Sequence, residues 1–146
     1  FKFHHKFREM KLDELKRAAQ EIFSQREEVI TAYIYGSSLH TESYEDIDIG
    51  LFIEDEFSAD ALYEARIAGE LERKLKEDFD VRILNDRPVR FLYSLLKNCQ
   101  ILYCKDESKR IDFESKVMVK YLDIKPHHQY YEKMRRQRYV NGQKSS

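Results

Sequence analysis

Glycine and proline are scarce in this chain, four and two among 146 residues, which excludes long flexible linkers. No apolar run approaches the roughly 18–20 residues that a membrane span needs. The first ten residues, FKFHHKFREM, are basic without an apolar stretch, so no secretory leader is expected and the cytoplasm is the default location. Cysteine is limited to Cys99 and Cys104, with no further ligand at metal-binding spacing. Two reduced, partly buried thiols are expected, one on a helix and one ending an apolar strand. A net charge of −1 gives the molecule no general attraction for nucleic acid. Basic charge is concentrated only from Lys133 to Lys144, where five basic residues occur without an acidic one. A solvated helix end accounts for that run, and an acidic partner is the alternative.

What is present suits one globular domain large enough for a real core, with 42% hydrophobic and 36% charged residues. Leu12, Leu15, Ala18, Ala19, Ile22 and Phe23 recur at three- and four-residue steps and predict a helix over 11–28. VITAYIYG is β-branched and aromatic up to its glycine, as a buried strand is. DIDIGLFI predicts a second strand, solvated at its acidic end. Ser58 is placed to cap a helix through Lys76 with Ala61, Leu62, Ala65, Ala68, Leu71 and Leu75 inward. FDVRIL is a third strand, Pro88 opens a helix that buries Phe91, Leu92, Leu95 and Leu96, and QILYC is a fourth strand. A last helix runs from Ser108 to Asp123, with a kink or break expected at Pro126 and resumption over 127–138. This alternation predicts an α/β sheet of about four strands flanked by helices. The expected organisation is a core over 11–105, a C-terminal helical extension over 106–138, and flexible ends at 1–10 and 139–146.

The segment AYIYGSSLHTESYEDIDIGLFI, residues 32–53, carries the chemistry. A strand runs into Gly36-Ser37, where glycine lets the backbone approach a bulky anion, and Ser37 and Ser38 could cap a short helix favouring phosphate. A spacer of eight residues, 38–45, then leads to Asp46-Ile47-Asp48. Residues two apart on a strand share a face, so both carboxylates point one way while Ile47 and Ile49 point into the core. Two carboxylates about 4–5 Å apart repel by roughly 3–4 kcal/mol at an effective dielectric near 20, and a cation resolves that conflict. Magnesium, an oxygen-seeking ion that completes its shell from phosphates, suits the site. Asp80 in FDVRIL is the candidate third acid, to hold a second metal or accept a proton, with Asp78 as its rival.

The stretch YGSSLHTESYEDIDIG resembles the signature of the nucleotidyltransferase fold of DNA polymerase beta-like enzymes: strand, Gly-Ser, spacer, then Asp-x-Asp between apolar residues. The absence of a large partner domain is similar to the minimal nucleotidyltransferases. FDVRILNDRPVRFLYSLLKNCQILYCKD and KYLDIKPHHQYYEKM resemble the C-terminal half of MntA-like antitoxins of HEPN/MNT toxin–antitoxin pairs, so the likeness spans residues 12–136. The resemblance implies a mixed sheet with a C-terminal helical arm, and transfer of AMP from ATP to a protein hydroxyl. The implied acceptor is a tyrosine of a partner HEPN ribonuclease toxin, silenced by the modification. It further implies Gly36 and Ser37, with neighbouring Ser38, at the triphosphate, and two magnesium ions on Asp46, Asp48 and Asp80. Two features depart from the pattern: the spacer is about two residues shorter than in the subgroup, and His40-Thr41 stands where relatives often have Arg-Gly. His40 could contact phosphate only as the imidazolium, and imidazole is mostly neutral at pH 7. The alternative implied by both departures is an antitoxin that silences its partner by binding alone.

His127-His128 diverge by about 100° on a helix and read as surface or partner-contact residues, and His4-His5 carry no role. The cluster Tyr121, Tyr130, Tyr131 and Tyr139 suggests either an arm that grips another chain or ordinary packing.

Overall fold

The protein is described by a computed structural model covering residues 2–36 and 46–145, with side-chain environments for 11–36, 46–125 and 133–135. In chain order the elements are α1 (Lys2–Phe23), β1 (Val29–Tyr35), β2 (Ile47–Ile53), α2 (Tyr63–Leu75), β3 (Phe79–Ile83), α3 (Val89–Lys97), β4 (Cys99–Cys104) and α4 (Glu107–Ser145). The strands form one sheet in the order β3-β2-β1-β4. β1 is antiparallel to both β2 and β4, whereas β2 and β3 are parallel, as the intervening helix α2 requires. This is the expected mixed α/β sheet with a C-terminal helix.

Helices cover both faces. On one, Leu15, Ala19, Ile22 and Phe23 of α1 and Tyr63, Ile67 and Leu71 of α2 pack on Ala32, Ile34, Ile47, Ile49, Leu51, Ile53, Phe79 and Val81. On the other, Leu92 and Leu95 of α3 and Val117 of α4 join Tyr33, Tyr35 and Leu84. Phe113 of α4 stacks on Phe52 at 4.2 Å, and Tyr121 on Tyr93 at 3.6 Å, so Tyr121 packs against the domain. Tyr33 donates a hydrogen bond to Glu114 Oε1 (3.2 Å), and Arg110 Nη1 donates to Glu114 Oε2 (2.7 Å), tying α4 to the sheet.

Four boundaries differ from the sequence expectation. Helix α1 begins at Lys2 rather than residue 11 and ends at Phe23, after which the Arg26 amide closes a turn on the Phe23 carbonyl. Ser58 does not cap α2; the chain turns at Asp60, whose side chain accepts from the Leu62 amide (3.0 Å) and whose carbonyl accepts from the Tyr63 amide (3.2 Å). With the cap at Leu62 instead of Ser58, Ala61 and Leu62 precede the first turn, and Leu62 is 63% exposed. The fully buried stripe is Tyr63, Ile67 and Leu71 at four-residue steps; of the expected inward residues Leu71 is in it, Ala68 and Leu75 are partly buried against the same core, and Ala65 is exposed. Cys99 begins β4 instead of ending a helix, and both cysteines are free and half-buried, with burial raising the Cys99 thiol to about 11.

The fourth difference is Pro126, where no break interrupts α4. Proline removes the bond to the carbonyl four residues earlier, that of Leu122, and Leu122 is an exposed residue where water can take that place. Among the described residues no helix is long and apolar enough to cross a membrane.

Candidate active site

β1 ends at Tyr35 and hands the chain to Gly36 in the left-handed region, φ +84°. Glycine is required there twice over. A side chain is strained at that φ, and a β-carbon would stand well inside contact distance of Asp48 Oδ2. The Asp48 carboxylate therefore lies directly against the Gly36 backbone. Asp46 is exposed just before β2, and Ile47 and Ile49 are buried beneath, so the carboxylates and isoleucines take the opposite sides read from their alternation.

The strand register brings distant residues into one row. Tyr35 of β1 is paired with Asp48, and Asp48 is paired across the parallel ladder with Asp80 of β3. Paired residues share a face, so the phenol and both carboxylates stand side by side at one end of the sheet. Asp78, the rival third acid, lies before β3 and gives its carbonyl to the Ile47 amide (2.9 Å). Asp80 is the member of the pair that stands in the row.

Burial raises the Asp48 carboxyl above its ordinary range, with Asp80 and Asp46 adding to the rise and Arg82 opposing it. Burial likewise lifts the Tyr35 phenol to about 12, followed by the charge of Asp48. The Tyr35 hydroxyl is buried without a hydrogen-bond partner, in a side chain only 8% exposed whose ring edge meets Phe91 at 6.0 Å.

Asp80 has a partner that sequence patterning overlooked. Arg82 Nε donates to Asp80 Oδ2 at 3.1 Å, and Arg82 Nη2 lies 3.1 Å from the same oxygen. Arg82 is two residues beyond Asp80 on β3, and that spacing alone was the available signal that they share a face. The other nearby cation, Arg87, is held by the Ile83 carbonyl at 3.1 Å and by Glu64 at 3.7 Å. Among the described residues no group of three or more carboxylate, imidazole or thiol side chains is gathered tightly enough to hold a metal ion.

Hard oxygen donors fit a hard cation. The Asp48 carboxyl, raised by burial and then by the charges of Asp80 and Asp46, is the group whose ionised form a divalent cation would favour. Ser37, Ser38 and His40 lie outside the described residues, as does the spacer through residue 45. His127, His128, Tyr130, Tyr131 and Tyr139 lie outside the residues whose side chains are described.

Comparison with solved structures agrees with this fold. A tri-AMPylated Shewanella oneidensis HEPN toxin in complex with MNT antitoxin matches at 17% identity and a TM-score of 0.61, covering 82% of this chain and 96% of that chain. A toxin-antitoxin crystal structure with AMP-PNP matches at 17% identity and 0.66, covering 81% and 95%. The MntA-HepT toxin-antitoxin matches at 15% identity and 0.64, covering 82% and 94%. At these identities the likeness is one of fold. No curated protein shows significant similarity to the chain. The family model described as polymerase beta, nucleotidyltransferase, matches residues 17–108, more than half the chain, and the protein belongs to that nucleotidyltransferase family.

Proposed function

We propose that this nucleotidyltransferase transfers AMP from ATP to a hydroxyl of a partner protein, a tyrosine of a HEPN toxin that it thereby silences. The observation that carries the reading is the Asp48 carboxylate lying against Gly36 in one row with Asp80. Support for the partner comes from the structural neighbour in which a tri-AMPylated HEPN toxin is in complex with MNT antitoxin. An ATP-consuming reaction of this kind belongs in the cytoplasm.

Asp46 and Asp48 would hold magnesium, and the Gly36 backbone with Ser37 and Ser38 would receive the triphosphate. His40 would contact the phosphates when protonated. When bound, magnesium draws negative charge from the phosphate oxygens. The acceptor oxygen attacks the α-phosphorus and forms a new P–O bond. The bond from that phosphorus to the α–β bridging oxygen breaks, pyrophosphate leaves, and the hydroxyl proton passes to Asp80 or to water. Gly36 keeps the carboxylate and the anion cradle adjacent.

Incubation with radiolabelled ATP, magnesium and a HEPN protein, should one be encoded beside this chain, tests the reading. Label on the partner, lost with Asp46→Asn in a folded protein, is the expected result. Labelling at the wild-type rate by Asp46→Asn would remove the metal assignment. The short spacer favours a second reading, silencing by binding alone, and that reading wins if the partner is inactivated without label.

A further inference from the structure

The three acids do not stand as equals. Asp46 and Asp48 have no cationic partner among their hydrogen bonds or ion pairs in the described part of the chain, whereas Asp80 carries two guanidinium contacts from Arg82 on one oxygen. Arg82 is paired in register with Gly50, and the space over that glycine is filled by the Leu84 side chain, two residues beyond Arg82 on the same face. The Arg82 side chain is 44% exposed and that of Asp80 35%, within reach of an incoming anion. The buried Tyr35 hydroxyl, unpartnered and one strand beyond Asp48 in the same row, is an independent sign that the site lacks a polar ligand.

Building on the proposed function, we propose that Arg82 is the resident second cation of the site. The nucleotide then enters with a single divalent ion on Asp46 and Asp48, while Asp80 holds Arg82 against the phosphate oxygens instead of ligating a second ion. This departs from the expectation of two ions on three acids. An arginine suits the place, since its planar fork can keep one edge on a carboxylate and offer its remaining N–H groups to phosphate. A fixed cation also needs no recruitment from solution. The reaction would then show no dependence on free metal beyond that complexed with ATP.

The test counts metal directly. Electron paramagnetic resonance of free Mn2+, titrated against the full-length chain with AMP-PNP, gives Mn2+ per bound nucleotide, and calorimetry gives nucleotide affinity. Wild type and Asp80→Asn are each expected to bind one Mn2+ per nucleotide. Arg82→Gln is expected to bind AMP-PNP about tenfold more weakly, the scale of one charge-assisted contact, and to take up a second Mn2+ on the released Asp80. Thermal melts confirm that both variants are folded. Two Mn2+ in wild type, falling to one in Asp80→Asn with Arg82→Gln unchanged, would make Asp80 a metal ligand and Arg82 an exposed ion-pair partner only. No nucleotide-dependent Mn2+ binding in any form overturns the proposed function itself, which separates that failure from this one.

Discussion

The two faces of β2 divide the labour of this domain within seven residues. Facing α1 and α2, the strand presents Ile47, Ile49, Leu51 and Ile53, all buried in the larger core. On its reverse it presents Asp48, then Gly50, then Phe52, a carboxylate giving way to a gap and then to an aromatic stacked under α4. The first face is apolar from end to end because both helices cover it. The second is apolar only where α3 and α4 lie, and is polar where the strands of the row begin or end. Period-two alternation lets one strand serve stability and chemistry through different residues. Substitutions one position apart should therefore fail in different ways.

The sharpest way to break that comparison uses Asp48 and Ile49. Asp48→Asn should lower label transfer by roughly 10²–10³-fold, the scale for removing one electrostatic contact from a transition state. Its melting temperature should not fall, because burial and two neighbouring acids already disfavour the native carboxylate. Ile49→Ala should do the reverse, costing about 2–5 kcal/mol in denaturant titration while transfer per folded molecule stays near wild type. Loss of both properties in either variant would mean that the faces are not separable.

Gly50→Ala probes the boundary between them with a smaller effect. A β-carbon there would stand 2.9 Å from Leu84 Cδ1 and 3.1 Å from Leu84 Cγ. Leu84 is fully buried and its amide is held by the Leu51 carbonyl at 2.8 Å, so it has little room to yield. A loss of about 1–3 kcal/mol is expected from this overpacking, measured by chemical unfolding. A stability equal to wild type would show that the second face is loosely packed beside the site.

Residue patterns revealed the first face almost completely and the second only in part. Alternation in DIDIGLFI and the apolar runs of β1 and β3 need only local chemistry, and the Gly36 turn follows from a strand ending in glycine before a diacid. The stripe of α2 follows the sequence in Ala68, Leu71 and Leu75 but differs at its beginning, because that start depends on the Asp60 turn and Leu62 looks as apolar as Ile67 until it is fixed. The row Tyr35, Asp48, Asp80 needs strand order and register, which are long-range quantities that no local pattern encodes. Arg82 was hidden for the same reason: only the row turns an ordinary strand arginine into a cation beside carboxylates. The continuity of α4 through Pro126 rests on exposure of the Leu122 carbonyl's surroundings, which also lies outside local sequence.

The smallest predicted effect is the pH response of the same carboxylate. The folded chain holds the Asp48 carboxyl above its ordinary 3.8, so the fold favours its protonated form. Its favourable contribution is complete below the unfolded value and is lost as pH rises through the higher folded value. At neutral pH the group therefore weighs against folding of the metal-free chain. Glu21, Glu54 and Asp60 move the opposite way, lowered by Lys74, Lys109 and Arg66, so whole-protein stability against pH mixes both signs. Subtraction isolates Asp48. The stability of Asp48→Asn minus that of wild type should be positive at pH 7 without divalent metal and should shrink as pH falls through the folded value toward 3.8. Added magnesium should also reduce the difference, by binding the native carboxylates. A difference that is independent of both pH and metal would leave Asp48 as an ordinary solvated acid and return the whole sheet to a structural role.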